Sequence, residues 1–186
     1  MTAPRRLAGS GRWGDRTVVW TMSEGRRGRR WREVVARGSA TRHALLLETD
    51  PDGRFSHLEL ARADGLWTFH PEADGTLHGN HVARGEAGVR HVAGWPFGRD
   101  DALLIEGSPL AAAALAWRWR AATAGSAWGV AAVEIRADGG LVRHPEIRVG
   151  RLDDRRWRVG EGNPFLVDDA GLPVLGDGEQ RPLEEA

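Results

Sequence analysis

Histidine is concentrated in one stretch of this chain. Five of the seven histidines fall between residues 57 and 91, on what the local pattern predicts to be consecutive strands. They are His57, His70, His78, His81 and His91. Neighbouring antiparallel strands bring distant residues side by side, so two or three imidazoles could join Glu59 as ligands for zinc or iron. However, His78-x-x-His81 places its rings on opposite faces of a regular strand, and there is no His-x-His pair. We therefore expect no metal and no cofactor.

Three glutamates stand in otherwise apolar predicted strands, and each is a candidate for acid–base chemistry. They are Glu59, Glu106 and Glu134. A carboxyl group that points into a core is desolvated, which raises its pKa and prepares it to move a proton. Strict alternation instead favours the solvent face of a half-buried strand. If the protein is an enzyme, the candidate catalytic residues are His57, Glu59 and Glu134.

Aromatic residues form the largest set of candidate ligand contacts. The chain has nine Trp and no Tyr. Trp67 and Phe69 share one predicted strand face, as Trp117 and Trp119 do by the same alternation. Indoles that line a barrel cavity, with His or Arg at its mouth, would suit a hydrophobic or amphipathic ligand, whereas ordinary core packing is the alternative. The predicted ligand-binding residues are Trp67, Phe69, His78, His91, Trp117 and Trp119.

Several other classes of chemistry are excluded or disfavoured. The run Arg26-Arg27-Gly28-Arg29-Arg30-Trp31-Arg32 mixes basic and aromatic residues, but the net charge of zero argues against a nucleic-acid partner. There is no Walker A motif, no Gly-x-Gly-x-x-Gly after a strand and no Gly-x-Ser-x-Gly elbow. Ser56 and His57 are adjacent, so they point to opposite faces and cannot form a nucleophile–base pair.

Composition indicates a single cytoplasmic domain. A length of 186 residues suits one domain, and the lack of Cys excludes disulfides and thiolate chemistry. No apolar run is long enough for a membrane span, and no leader-like segment follows the first residues. We predict a loose segment over residues 1–15, one β-rich domain over 16–168 and an acidic tail over 169–186.

The elements that must position these residues are mostly strands. Four Asp-Gly pairs at 52–53, 64–65, 74–75 and 138–139 predict tight hairpin turns of the primed type, in which both residues take positive φ. Between residues 17 and 159, ten or eleven short runs rich in Val, Ile, Leu and aromatics fit an antiparallel meander.

One short helix is predicted near residues 109–116. Ser108 suits an N-cap, Pro109 suits the first helical position, and an Ala run follows. Leu115, Trp117 and Trp119 alternate with other residues, so we predict that the helix passes into a strand.

Three pieces of the chain resemble the bacterial glycolipid-binding family, whose half-barrel fold is similar to that of lipoprotein carriers. They are Trp31-Arg32, Asp64-Gly65-Leu66-Trp67, and the segment from Asp138 through His144-Pro145. His144-Pro145 stands where that family has Tyr-Pro, and the family's Thr-Pro-Phe-Thr-Asn block is absent. The resemblance implies a lipid-like ligand and transfers no residue roles.

The sequence thus predicts a mainly β fold, an antiparallel meander that forms a calycin-like barrel or half-barrel with one short helix. The predicted function is binding of a lipid, glycolipid or polyketide-like molecule in a Trp-lined cavity. The alternative is a small barrel enzyme that cyclises, isomerises or dehydrates a metabolite by confinement with His or Glu assistance. A third alternative is an interaction module that uses the Arg-rich start or the acidic tail. Neither enzymatic activity nor oligomeric state is decided by the sequence.

Overall fold

The computed structural model describes residues 5–182, which form a mainly β structure with one short helix, as predicted. Contacts divide the chain into two compact units. Unit 1 lies within residues 1–99 and 175–186, and unit 2 comprises Asp100–Val174. The sequence instead predicted one domain over 16–168, so its boundaries do not coincide with this division.

Unit 1 is a nine-stranded antiparallel sheet. Its strands are β1 (Arg5–Trp13), β2 (Arg16–Gly25), β3 (Gly28–Arg37), β4 (Ala40–Thr49), β5 (Phe55–Arg62), β6 (Gly65–Pro71), β7 (Thr76–Ala83), β8 (Arg90–Pro96) and β14 (Gly176–Pro182). The spatial order β14-β1-β2-β3-β4-β5-β6-β7-β8 follows the chain except for β14, so the predicted meander is confirmed. Within the described residues, β14 and β8 are the edges of this sheet.

The register of the sheet arranges its buried side chains in rows that cross the strands. One row joins Trp20, Glu33, Leu45, Leu60, Trp67 and His81. The next row joins Met22, Trp31, Leu47, Leu58, Phe69 and Gly79. Because side chains alternate between faces, these rows form one buried face of the sheet, and the intervening residues form the other. The period-two alternation of apolar residues in the sequence therefore corresponds to the alternation of side chains between the buried and the other face of this sheet.

Unit 2 contains a five-stranded sheet, curled as a half-barrel, and the helix. Its elements are β9 (Ala102–Ile105), α1 (Pro109–Trp117), β10 (Ala127–Ile135), β11 (Leu141–Arg151), β12 (Arg156–Val159) and β13 (Phe165–Leu166). Strands β9 and β10 are parallel and are connected through α1, which is a βαβ unit that the sequence did not predict. Within residues 5–182, no helix has the length and apolar character to cross a bilayer.

Helix α1 begins as predicted but ends differently. The Ser108 hydroxyl accepts a hydrogen bond from the backbone N–H of Ala111 at 2.9 Å, and Pro109 follows the cap. The prediction that the chain then passes into a strand is wrong, because residues 118–122 form turns. The alternation around Trp117 and Trp119 therefore does not place these indoles on a strand face.

The four Asp-Gly pairs lie at the β4–β5, β5–β6, β6–β7 and β10–β11 connections, as hairpins require. Only their glycines have positive φ, and Asp177 is the one non-glycine residue with positive φ in the described chain. The predicted primed geometry is therefore wrong. The aspartates act through their side chains instead: Asp74 accepts from Thr76 N at 3.0 Å and from Thr76 Oγ1 at 2.7 Å, which lowers the pKa of that carboxyl group.

Both ends of the described chain contain a strand that the sequence analysis did not predict. Residues 5–13, expected to be loose, form β1 between β2 and β14. The expected acidic tail includes β14 and, before it, the fully buried Leu172 of unit 2. Strand β1 escaped prediction because only Leu7 and Gly11 are buried in it, and Gly11 has no side chain to continue an apolar alternation. A Cβ at Gly11 would lie 2.5 Å from Leu175 Cβ. Residues 1–4 and 183–186 of these predicted segments lie outside the described residues.

Candidate functional site

The predicted aromatic pair of unit 1 lies on the buried face of its sheet. Trp67 and Phe69 share one face of β6, as predicted, with ring centroids 6.2 Å apart and planes within 5°. Only 6% of Trp67 and 1% of Phe69 is exposed. Trp67 also stacks on His81, with centroids 3.9 Å apart, and its Nε1 donates to Asp64 at 3.2 Å. The contacts described here are those of packed core residues, and a ligand-binding role for them stays a prediction.

His81 lines a polar cavity of about 420 Å³ with Asp64 and Arg90. Arg90 Nη2 donates to His81 Nδ1 at 3.1 Å, which leaves the proton of a neutral imidazole on Nε2. That Nε2 is buried without a hydrogen-bond partner in the described part of the chain, 4.0 Å from Asp64 Oδ2. The separation is too short for a bridging oxygen atom between the two groups and slightly too long for a direct hydrogen bond. A small shift of either side chain would let His81 donate directly to Asp64.

A second cavity of unit 1 is an open cleft of about 400 Å³ with an aromatic wall. Phe55 and Phe97 meet edge to face, with centroids 5.8 Å apart and an interplanar angle of 77°. Charged side chains share the lining: Arg54, which is paired with aspartates, and Arg99, which has no hydrogen bond or ion pair among residues 5–182. No tryptophan lines either of these two cavities. The cleft therefore combines an aromatic wall with a charged lining that also includes the carboxylates of Asp50 and Glu72, and Phe takes the place of the predicted Trp.

Three of the five clustered histidines meet on the other face of the sheet. His70 and His78 are directly paired across β6 and β7, with ring centroids 5.7 Å apart. His78 stacks on His91 at 5.9 Å with planes within 8°. Glu72 Oε1 lies 2.9 Å from His70 Nε2 and 3.9 Å from His78 Nδ1. The structure thus brings together the predicted pair His78 and His91, while His81 lies on the opposite, buried face.

The tryptophans of unit 2 do not share a strand face. Trp117 is the last residue of α1, and a Cβ at Gly171 would lie 2.2 Å from its ring, so the indole packs against backbone. Trp119 lies in the following turn and stacks on Trp128 with centroids 5.4 Å apart. Arginines lie over both rings, Arg120 over Trp117 at 4.4 Å and Arg118 over Trp119 at 4.8 Å.

The candidate catalytic residues lie on solvent-facing positions. His57 Nε2 donates to Glu59 Oε1 at 3.3 Å, and Glu59 is exposed between the fully buried Leu58 and Leu60. Glu134 is half-buried and accepts from His144 Nε2 at 3.0 Å. None of the three residues has the desolvated environment on which the acid–base interpretation depended. Their catalytic role stays a prediction without structural support.

A buried pair that the sequence analysis missed lies in the core of unit 1. Glu33 and His43 are separated by 2.9 Å, with 0% and 5% of their side chains exposed. Glu33 follows Arg32 in an Arg-rich strand, where a solvent-facing ion pair is the usual expectation. The signal that could have found it is parity: Glu33 is two residues from Trp31 and from Val35, so it shares their buried face.

Comparisons with known proteins do not assign a family. No protein-family model matches this chain, and a comparison with curated proteins finds no match. A solved structure from Pseudomonas aeruginosa, described as that of a DUF1089 family protein, is similar to this chain with 18% identity and a TM-score of 0.49. The match covers 94% of this chain and 89% of that chain. The resemblance to the glycolipid-binding family stays a prediction.

Proposed function

We propose that unit 1 binds an amphipathic small molecule in the cleft lined by Phe55 and Phe97. The observation that carries this proposal is a single open cavity that joins an aromatic wall to an arginine without a partner among the described residues. Its volume of about 400 Å³ lies within the range of small-molecule sites, about 300 to 1,000 Å³. An apolar chain or ring would contact the phenylalanines, and an acidic headgroup would meet Arg99.

The preference for an anionic headgroup rests on Arg99, because the carboxylates of Asp50 and Glu72 in the same lining are already paired with Arg54 and His70. Arg54 is already paired with Asp50 and Asp52, whereas the exposed Arg99 is available to a ligand. A carboxylate or phosphate would pair with the guanidinium through charge-assisted hydrogen bonds. A fatty acid, an acidic polyketide or the headgroup of an acidic lipid has the required chemistry. The function predicted from the sequence is retained, with phenylalanines as the proposed contacts.

The test is saturable binding of a dansyl-labelled undecanoic acid, followed by its fluorescence, with decanoate and decanol as competitors. Ala73→Trp places an indole in the cleft from an exposed turn and should weaken binding at least about tenfold. Ala63→Trp is the matched control, because Ala63 also precedes an Asp-Gly pair in an exposed turn but does not line the cleft. Its binding should equal that of the wild type.

Arg99→Ala tests the headgroup. It should weaken displacement by decanoate about twofold to fivefold and leave displacement by decanol unchanged, since an exposed charge contributes modestly. Arg84→Ala, at another exposed arginine, is its control. If the probe does not saturate, or if Ala73→Trp binds it as well as Ala63→Trp does, the proposal is overturned.

A further inference from the structure

The structure assigns a second, inorganic ligand to unit 1: we propose that His70, Glu72 and His78 bind a divalent transition-metal ion such as zinc. One ligand atom from each side chain lies within 4.8 Å of the other two. Two imidazole nitrogens and one carboxylate oxygen form a donor set that zinc uses in sites with an open coordination position. The inference does not depend on the proposed ligand of the cleft.

The sheet itself fixes the positions of the two histidines. His70 and His78 are direct partners across β6 and β7, and their strands are joined by the short connection at Asp74-Gly75. Opposite residues in such a pair have Cβ atoms about 4.5 to 5.5 Å apart, so both rings reach the same point above the sheet. This spacing is set by the backbone ladder and therefore exists before any metal binds.

Glu72 is held in the connection between the same two strands. Its backbone N–H donates to Thr76 O at 2.8 Å, and its carbonyl accepts from Gly75 N at 3.2 Å. Its Oε1 lies between the imidazoles, at 2.9 Å from His70 Nε2 and 3.9 Å from His78 Nδ1. Tetrahedral zinc with bonds near 2.05 Å needs donors about 3.3 Å apart, so only side-chain rotations separate the observed arrangement from a coordinating one.

Exposure and neighbours are consistent with an accessible site. The exposed fractions of the three side chains are 39% for His70, 45% for Glu72 and 43% for His78, so an ion can reach them from solvent. His91, stacked on His78, is an imidazole that could fill a fourth position after rotation, and water is the other candidate. Glu72 also lines the cleft at Phe55 and Phe97, which puts the ion at the rim of that cleft.

The sequence argument against a metal rested on the spacing of histidines within single strands. It considered His78 and His81, whose opposite faces the structure confirms, and found no short sequence motif. The ligand set instead uses the cross-strand partner of His78, whose position depends on the register between β6 and β7. No local spacing rule contains that information.

The experiment is calorimetric titration of the metal-free protein with zinc chloride, with no organic ligand present. We expect one zinc ion per chain, and a loss of at least about a hundredfold in affinity for His70→Ala combined with His78→Ala. Loss of a partner that only supports a ligand already costs tenfold to a hundredfold. His144→Ala is the control, because His144 also contacts a glutamate, Glu134 of unit 2, but belongs to no group of three candidate metal ligands among the described residues. It should bind zinc as the wild type does.

Two further measurements keep the test decisive. Glu72→Gln retains shape and removes the anionic donor, so it should weaken zinc binding without changing the thermal stability of the metal-free protein. Cobalt(II) should give visible ligand-field bands typical of four or five nitrogen and oxygen donors, and these should vanish in the double histidine variant. Stoichiometric zinc binding that survives the double variant, or no zinc binding by the wild type, would refute the site. Failure of the dansyl-lipid assay would leave this result unaffected.

Discussion

Replacing Gly79 with alanine tests whether Phe69 is a packed core residue or the wall of a ligand cavity. The two residues face each other across β6 and β7. An ideal Cβ at Gly79 would lie 2.6 Å from Phe69 Cε1 and 3.2 Å from Val92 Cβ. Carbon atoms in contact are normally about 3.5 to 4.0 Å apart, so the phenyl ring would have to move by about 1 Å.

The expected cost follows from two opposing contributions. Forcing an additional methyl group into a packed core destabilises a protein by about 1 to 3 kcal/mol. Removing the excess backbone freedom of glycine from a strand stabilises it by about 0.5 to 1 kcal/mol. The ring has little room to move, because Trp67 stacks beside Phe69 on the same strand face and only 1% of Phe69 is exposed. We therefore expect Gly79→Ala to lower the free energy of unfolding by about 1 to 2 kcal/mol.

Urea unfolding followed by circular dichroism measures this change, with two matched variants beside it. Gly94→Ala is the control, because the nearest atom to its Cβ, on Thr76, would be 3.6 Å away, which is ordinary contact. That variant should be neutral or slightly stabilising. Adding Phe69→Leu to Gly79→Ala should recover at least about 1 kcal/mol relative to the sum of the single effects, since the two side chains are in contact. If Gly79→Ala is as well tolerated as Gly94→Ala, the ring has open space beside it and the core interpretation of Phe69 is wrong.

Two further predictions concern groups outside the cleft. His43→Leu should lower the free energy of unfolding by about 3 kcal/mol, because it removes a hydrogen-bonding partner of a fully buried carboxyl group. The joint replacement of Glu33 and His43 by leucine should cost far less, because it leaves no buried carboxyl group behind. Urea unfolding of the two variants measures both changes. The pKa of Asp153 is lowered to about 2 by the backbone N–H groups of Arg155 and Arg156 and by the Arg156 side chain. The charged form of Asp153 therefore stabilises the folded state above about pH 3.8, and that contribution is lost as the pH falls through about 2. Asp153→Asn should therefore be less stable than the wild type at pH 5, and the difference should shrink toward pH 2; equal stabilities at pH 5 would contradict this.

The fold class was predictable because its signals are local. The Asp-Gly pairs marked four real connections, and alternation placed Trp67 and Phe69 on one face of β6 and favoured the solvent face for Glu59. The N-cap of α1 was readable from Ser108 and Pro109. These features depend on a few neighbouring residues, whose conformational preferences the sequence states directly.

What the sequence could not supply depends on register or on small residues. Strand β1 was missed because Gly11 takes a buried position that only a residue without a side chain can occupy. The parallel pairing of β9 and β10 was missed because strand direction is decided by the connection through α1. Likewise Glu33 looked like a surface residue among arginines, although its parity with Trp31 placed it in the core.

The two faces of one strand show why the candidate site needed the structure. On β7, His78 and His81 differ by three positions, so one joins Glu72 and His70 at the solvent face, and the other stacks under Trp67. Identical side chains thus acquire different chemistry: an accessible nitrogen donor in one case, and a buried imidazole held by Arg90 in the other. A histidine count can suggest metal binding, but the pairing of β6 with β7 is what places His70 beside His78. The proposed metal site therefore depends on strand register, and the zinc titration of the His70 and His78 variants tests whether these cross-strand partners bind an ion.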